Sequence, residues 1–229
     1  DAATREQAQA GGFTVVDAAT VLATHLNHLM QSHAAALLGR AEVQELLEHA
    51  RRHVPGLVDE VVPKLVPPAL FQKVLRNLLE ESVHVRDLRG ILELVGEFGS
   101  ANADPAALTR EVRIGLAGAI VQNLYGPVRD LGVLAIEPGL EQLLVQALSP
   151  EAQVPLDPQL ADMLCAQAAD AARAQEEAGL PACLLAPDRI RAPLARLLRR
   201  RATRLHVLGH AEIPATHSIQ IDRVIGVPA

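Results

Sequence analysis

A change of hydrophobic period at Tyr125-Gly126-Pro127 constrains this chain more than any other feature. Upstream, apolar residues recur at helical spacing over long stretches. Downstream, short apolar runs alternate with helical ones, the pattern of strands interleaved with helices. The expected fold is therefore mixed α/β and mostly helical, ending in a C-terminal α/β unit with at least some parallel strands.

The upstream part opens on small polar residues 1–12, ending in Gly11-Gly12, which read as a flexible or cut edge. Phe13-Thr14-Val15-Val16 is a short β-prone run, and Asp17 can accept from the free amides of a following helix. That helix is predicted over Ala18–Ser32, with Val21, Leu22, Leu26, Leu29 and Met30 turned to the core. After Gly39 the spacing predicts a helix over Ala41–His53, with Val43, Leu46 and Leu47 inward. Pro55, Pro63, Pro67 and Pro68 punctuate a link. Further helices are expected at Ala69–Glu81 and Arg86–Phe98. Asp104-Pro105 pairs an N-cap with proline at the first helical position, opening a long helix to about Leu124.

Downstream, strands are expected at Gly132–Ile136, Ala182–Leu185, Leu205–Leu208 and Ser218–Val227. Helices should lie between them at Pro138–Leu148, Pro158–Ala178 and Asp188–Arg201. We divide the chain near residues 37 and 126.

Composition narrows the function classes. The 229 residues suffice for a sizeable core, and 49% are apolar, chiefly Ala, Leu and Val. Aromatics are only 2%, so the stacking rings of single-strand nucleic-acid binders are missing. A net charge of −6 argues against a nucleic-acid or anionic-membrane partner. The longest apolar run, Ile114 to Val121, is far short of the roughly 20 residues that span a bilayer. The two cysteines, Cys165 and Cys183, sit in apolar surroundings and do not suggest a disulfide scaffold.

The residues that carry chemistry elsewhere have ordinary readings here. His49 and His53 stand four apart on a predicted helix, but Arg51 and Arg52 beside them would repel a dication. His25, His28 and His33 read as polar groups of a solvated surface or an interface, and His206 and His210 follow a strand into a turn. No metal or cofactor is expected. There is no serine elbow, no phosphate-cradling glycine loop and no base beside either cysteine. Glu42, Glu45 and Glu48 read as one solvated face. The chain is read as non-enzymatic. The strongest charge cluster is Arg196, Arg199, Arg200, Arg201 and Arg204. It suits either a helix C-terminus or contact with an acidic partner or a neighbouring subunit.

Five segments carry a family resemblance. They are Gly12–Leu29, Ala34–Leu47, Leu57–Pro63, Leu75–Glu93 and Leu208–Pro214, with Glu137–Leu144 similar to a further turn and helix start. In this order they resemble signature stretches of FlhA-type flagellar type III protein-export gates, the FHIPEP family. Injectisome export gates of the SctV type are its paralogues. The chain departs from the family pattern at Ala41, where a glutamine is usual, and at Gly209, where a serine is.

The resemblance implies a division into subdomains. Residues 1–16 would end a second cytoplasmic subdomain, and 17–37 would form the helix returning to a first. Residues 38–117 would be a helical third subdomain and 118–229 an α/β fourth. By the same resemblance the chain would be part of the cytoplasmic domain of a bacterial inner-membrane protein, meeting the membrane only through an absent N-terminal part. Its implied role is a ring-forming platform, nonameric in the full-length protein. It would dock flagellar chaperone–cargo complexes and other export-apparatus proteins. Thr24 is the one position here that matches the family's chaperone-docking dimple. An injectisome export gate and an α/β enzyme stand as alternatives. The segment at Val15–Leu29 favours the flagellar branch.

Overall fold

The computed structural model describes residues 7–226 apart from residues 9 and 102. Residues 1–6 of the expected N-terminal edge, and Val227 of the expected last strand, lie outside the described residues.

Helices come first. They are α1 (Ala18–Ser32), α2 (Ala34–Leu37), α3 (Arg40–Arg51), α4 (Pro55–Glu60), α5 (Pro68–Glu80), α6 (Leu88–Phe98), α7 (Pro105–Gly115) and α8 (Ala117–Tyr125). A π-helical turn at Val61–Leu65 joins α4 to the link before α5. Side chains start these helices where the local chemistry allows it. Asp17, Asp87 and Asp104 accept from backbone amides of Thr20, Gly90 and Ala107 at 2.9, 2.9 and 2.8 Å. Gly39 donates its amide to the Glu42 carboxylate at 2.9 Å, so Glu42 closes the start of α3.

Two expectations fail here. The long helix predicted through Leu124 is broken at Leu116, whose φ of −89° and ψ of 6° leave the helical region and separate α7 from α8. A continuous apolar pattern crosses that break, so periodicity alone misses it. Phe13–Val16 forms no strand; Phe13 is 72% exposed. A β-prone run needs a neighbouring ladder, and no described strand reaches it.

The α/β part contains β1 (Asp130–Ile136), α9 (Pro138–Leu148), α10 (Pro158–Glu177), β2 (Cys183–Ala186), α11 (Arg191–Leu198), β3 (His206–Gly209), a 3₁₀ turn at His210–Glu212, and β4 (Ser218–Ile225). The strands run parallel in the order β3-β2-β1-β4. His206 therefore lies within a strand and not in the turn after it. The β1–β4 register slips by one residue between Val133 and Leu134, leaving Asp222 as the extra residue of a bulge.

β1 is buried on both sides, as an inner parallel strand should be. Leu131 and Val133 point into one core with Phe71, Leu75, Leu78, Ile91, Leu92, Leu108 and Val112 from the helical part. Leu134 and Ile136 point into a second core with Leu140, Leu144, Leu164, Ala168 and Leu194. The helical part thus covers one face of the sheet, and α9, α10 and α11 cover the other. Gly132 leaves room for the Asp222 carboxylate, which would have to shift if a Cβ stood there. The Gly132 carbonyl instead accepts from the Tyr125 hydroxyl at 2.8 Å.

Candidate docking surface

α1 is built as an amphipathic helix and left uncovered. Asp17 caps it twice, accepting from the Thr20 amide and from the Thr20 hydroxyl at 2.6 Å. The Thr20 hydroxyl, followed by its amide, holds the Asp17 carboxyl below its ordinary range. At the other end the Ser32 hydroxyl donates to the carbonyls of His28 and Leu29. None of its residues is buried. Val21, Leu22, Leu26 and Met30 are 56, 67, 55 and 55% exposed. The expectation that this stripe faces a core is therefore corrected: among the described residues nothing is packed over it.

Thr24 is exposed on the same helix. At about 100° per residue, two residues in either direction is roughly 200° of rotation, so Thr24 faces away from Leu22 and Leu26. It shares its side with Asn27, His28 and Gln31, with Val21 its nearest apolar neighbour. Thr24 thus lies beside Val21 and on the side of the helix away from Leu22 and Leu26. The helix presents two different surfaces, one apolar and one polar.

The other sequence candidates disperse. The His49 and His53 rings stand edge to face 5.1 Å apart, and Arg52 shares a hydrogen bond with His49 Nδ1. No group of three or more potential metal ligands occurs among the described residues. The arginine cluster is partly neutralised by the protein itself. Arg199 approaches Glu80 at 3.8 Å, Arg201 approaches Asp162 at 3.8 Å, and Arg204 lies 3.3 Å from Glu176.

What sequence reasoning missed is a buried ion network joining the two parts of the chain. Arg113 of α7 holds Glu212 through a bidentate pair at 2.6 and 2.9 Å, with side chains only 2 and 1% exposed. Arg191 at the start of α11 reaches the same Glu212 at 3.5 Å and pairs with Glu81 at the end of α5. Arg113 lies 3.3 Å from Glu81 as well. Burial pushes the Glu81 carboxyl up, but the Arg113 and Arg191 charges outweigh it and hold the group below 4.5. Burial lowers the affinity of Arg113 for its proton, and the Glu212 pair more than restores it. One signal was available: Arg113 stands on the buried face of α7 with Leu108, Thr109 and Val112. A charge on an apolar stripe announces a buried partner.

Two titratable groups border this network. Burial, then the Arg113 charge, lowers the His206 pKa from 6.5, and burial pushes the Cys183 thiol up to about 12. An unreactive thiol and a carboxylate fully engaged by two guanidiniums form a structural junction.

The FHIPEP family pattern matches residues 1–218. The chain belongs to the FHIPEP family. It is 42% identical over 226 residues to the flagellar biosynthesis protein FlhA of Escherichia coli, covering 99% of this chain and 32% of that one. The FlhA of Yersinia enterocolitica is 41% identical over 227 residues, with the same shares covered. The chain thus spans about a third of the length of these relatives. Among solved structures, CdsV of Chlamydia pneumoniae superposes with a TM-score of 0.82 at 22% identity, over 96% of this chain and 64% of that one. CdsV in complex with CdsO gives 0.81 at 22%, over 94 and 62%. Nonameric EPEC SctV-C gives 0.74 at 20%, over 87 and 61%. At these identities the structures establish the mixed α/β, mostly helical fold. Among the described residues, no helix is long and apolar enough to cross a membrane.

Proposed function

We propose that this chain is part of the cytoplasmic domain of a flagellar type III export gate. In this reading it is a non-enzymatic platform that docks export chaperone–cargo complexes and assembles as a ring. Residues 1–16 then end a second subdomain, 17–37 return to a first, 38–117 form a third and 118–229 a fourth. The observation that carries the reading is α1, whose apolar stripe is complete, capped and uncovered. Such a stripe in a family member spanning a third of its relatives suits a helix that packs against further protein of the same chain. Thr24, on the opposite side, then remains available to a chaperone.

The flagellar branch is preferred over an injectisome gate because identity to flagellar FlhA is 42%, against 22% to CdsV and 20% to SctV-C. Likeness to nonameric SctV-C supports the ring, and likeness to CdsV in its complex with CdsO supports contact with a further protein.

The test uses a longer chain carrying the upstream subdomains. Thr24→Met should weaken affinity for a flagellar chaperone–cargo complex while costing less than the ~1–3 kcal/mol of an overpacked core. Unchanged affinity with a large loss of thermal stability would make Thr24 a packing residue. Tighter binding of an injectisome chaperone than a flagellar one would reassign the branch.

A further inference from the structure

We propose that His206 is an acid-sensitive latch between the helical and α/β parts. Neutral, the ring lets β3 seat against the helical part; protonated, it loosens the junction around Arg113 and Glu212. The latch rests neither on α1 nor on the reading given to Thr24.

The sheet register places the ring. His206 on β3 is paired with Cys183 on β2, and side chains paired this way in parallel strands share a face. Cys183 and Leu208 belong to the core shared with the helical part, whereas Val207 belongs to the core on the other side. β3 therefore turns His206 toward α7 and the α5–α6 turn. There the half-buried ring and Arg113 line one cavity of about 90 Å³. The His206 amide donates to the Ala182 carbonyl at 2.9 Å, which fixes the strand. Its ring makes no hydrogen bond or ion pair among the described residues.

The charges around the ring favour its neutral form. Arg113 keeps its charge throughout the physiological range and is only 2% exposed, so solvent screens it poorly. The other titratable groups on the cavity wall are Glu80, Glu81, His84, Asp87 and Arg199. Glu81 pulls a proton toward His206, but Arg113 and Arg191 already claim that carboxylate. Glu80 lies 3.8 Å from Arg199, and Asp87 accepts from the Gly90 amide at 2.9 Å. Behind Arg113, Glu212 and Arg191 pair with each other at 3.5 Å. β2 offers the Cys183 thiol, which burial keeps protonated, and α8 puts no titratable side chain on the wall. Burial, then Arg113, outweigh the pull of Glu81 and hold the ring neutral to a pH below 6.5.

The unfolded chain takes up this proton near pH 6.5, and the folded chain only at lower pH. Stability linked to His206 is therefore complete above 6.5 and is lost as pH falls from there through the folded pKa. Glu81 acts only below 4.5, so the two windows are separate.

The test begins with an NMR titration of the His206 ring in the unaltered chain, where a midpoint below 6.5 is expected. Urea unfolding against pH then reads the linkage. Between about pH 7 and about pH 5 the unfolding constant should rise at least about threefold more than in His206→Asn. His206→Gln replaces that variant if it does not fold. His84→Asn, exposed on the same wall, should keep the original slope. The Gly209 amide donates to Glu212 at 3.1 Å and so reports on the junction. Its hydrogen-exchange protection, corrected for the intrinsic rate, should fall with the His206 midpoint. A midpoint at 6.5 or above would overturn the latch. So would an acid slope unchanged in the folded His206 variant, or Gly209 protection that stays constant through the titration.

Discussion

α1 and α6 are written in the same hydrophobic grammar and meet opposite fates. Both are capped by an aspartate, and both carry an apolar stripe at helical spacing. α6 buries Leu88, Ile91, Leu92 and Val95, whereas α1 buries nothing. Amphipathic periodicity therefore specifies that a face is to be covered, without saying what covers it. For α6 the cover is α7 and the π-helical turn; for α1 it is not among the described residues.

The contrast breaks most readily at its buried end. Arg113→Ala removes the guanidinium that neutralises Glu212 and Glu81 and should cost about 3–5 kcal/mol, read from denaturant unfolding. A loss below about 1 kcal/mol would mean that water or rearranged arginines replace it. Ile91→Ala, in the fully buried stripe of α6, should cost about 2–5 kcal/mol by the same measurement.

Glu81 adds a pH signature. Its folded-state pKa lies below the ordinary 4.5, so its contribution is present above that value and lost as pH falls through the folded pKa. Glu81→Gln should cost about 1–3 kcal/mol at neutral pH. It should also flatten the decline in stability below about pH 4.5, measured as the urea midpoint against pH. An unchanged slope would place the acid sensitivity elsewhere.

The smallest effect is the most informative. Leu26→Ser on α1 should change the stability of this chain by no more than about 0.5 kcal/mol, because no core contact is lost. In a longer chain carrying the upstream subdomains, the same change should rise to about 2–5 kcal/mol if the stripe becomes core. Equal small values in both would show that the stripe is not covered within one chain.

Legibility in the sequence followed how local each determinant was. The capping aspartates, the proline at the start of α7 and the sites of the four strands all follow from short-range chemistry, and the structure matches them within a few residues. The break at Leu116 was hidden because the residues on both sides remain apolar and helix-forming. The fate of α1 was hidden for another reason: burial is a relation between segments, and no described segment packs over this one. The Arg113–Glu212 pair joins residues 99 apart, beyond any spacing rule, and only the charge on the α7 stripe hinted at it. Thr24 was legible only through family resemblance, since an exposed threonine on a helix carries no chemical signal of its own.

The strand order has a consequence for synthesis. β1 lies between β2 and β4, and its pairing with β4 joins Leu131 to Ile219. A ribosome delivers β1 long before its neighbour, and loop closure over that distance is slow. Until Ser218–Ile225 emerges, β1 presents an open ladder edge, with apolar side chains on both faces beside it. Chains lacking β4 should therefore aggregate through β1. Pairing with β4 moves the open edge from a strand buried on both faces to one whose side chains are almost all exposed.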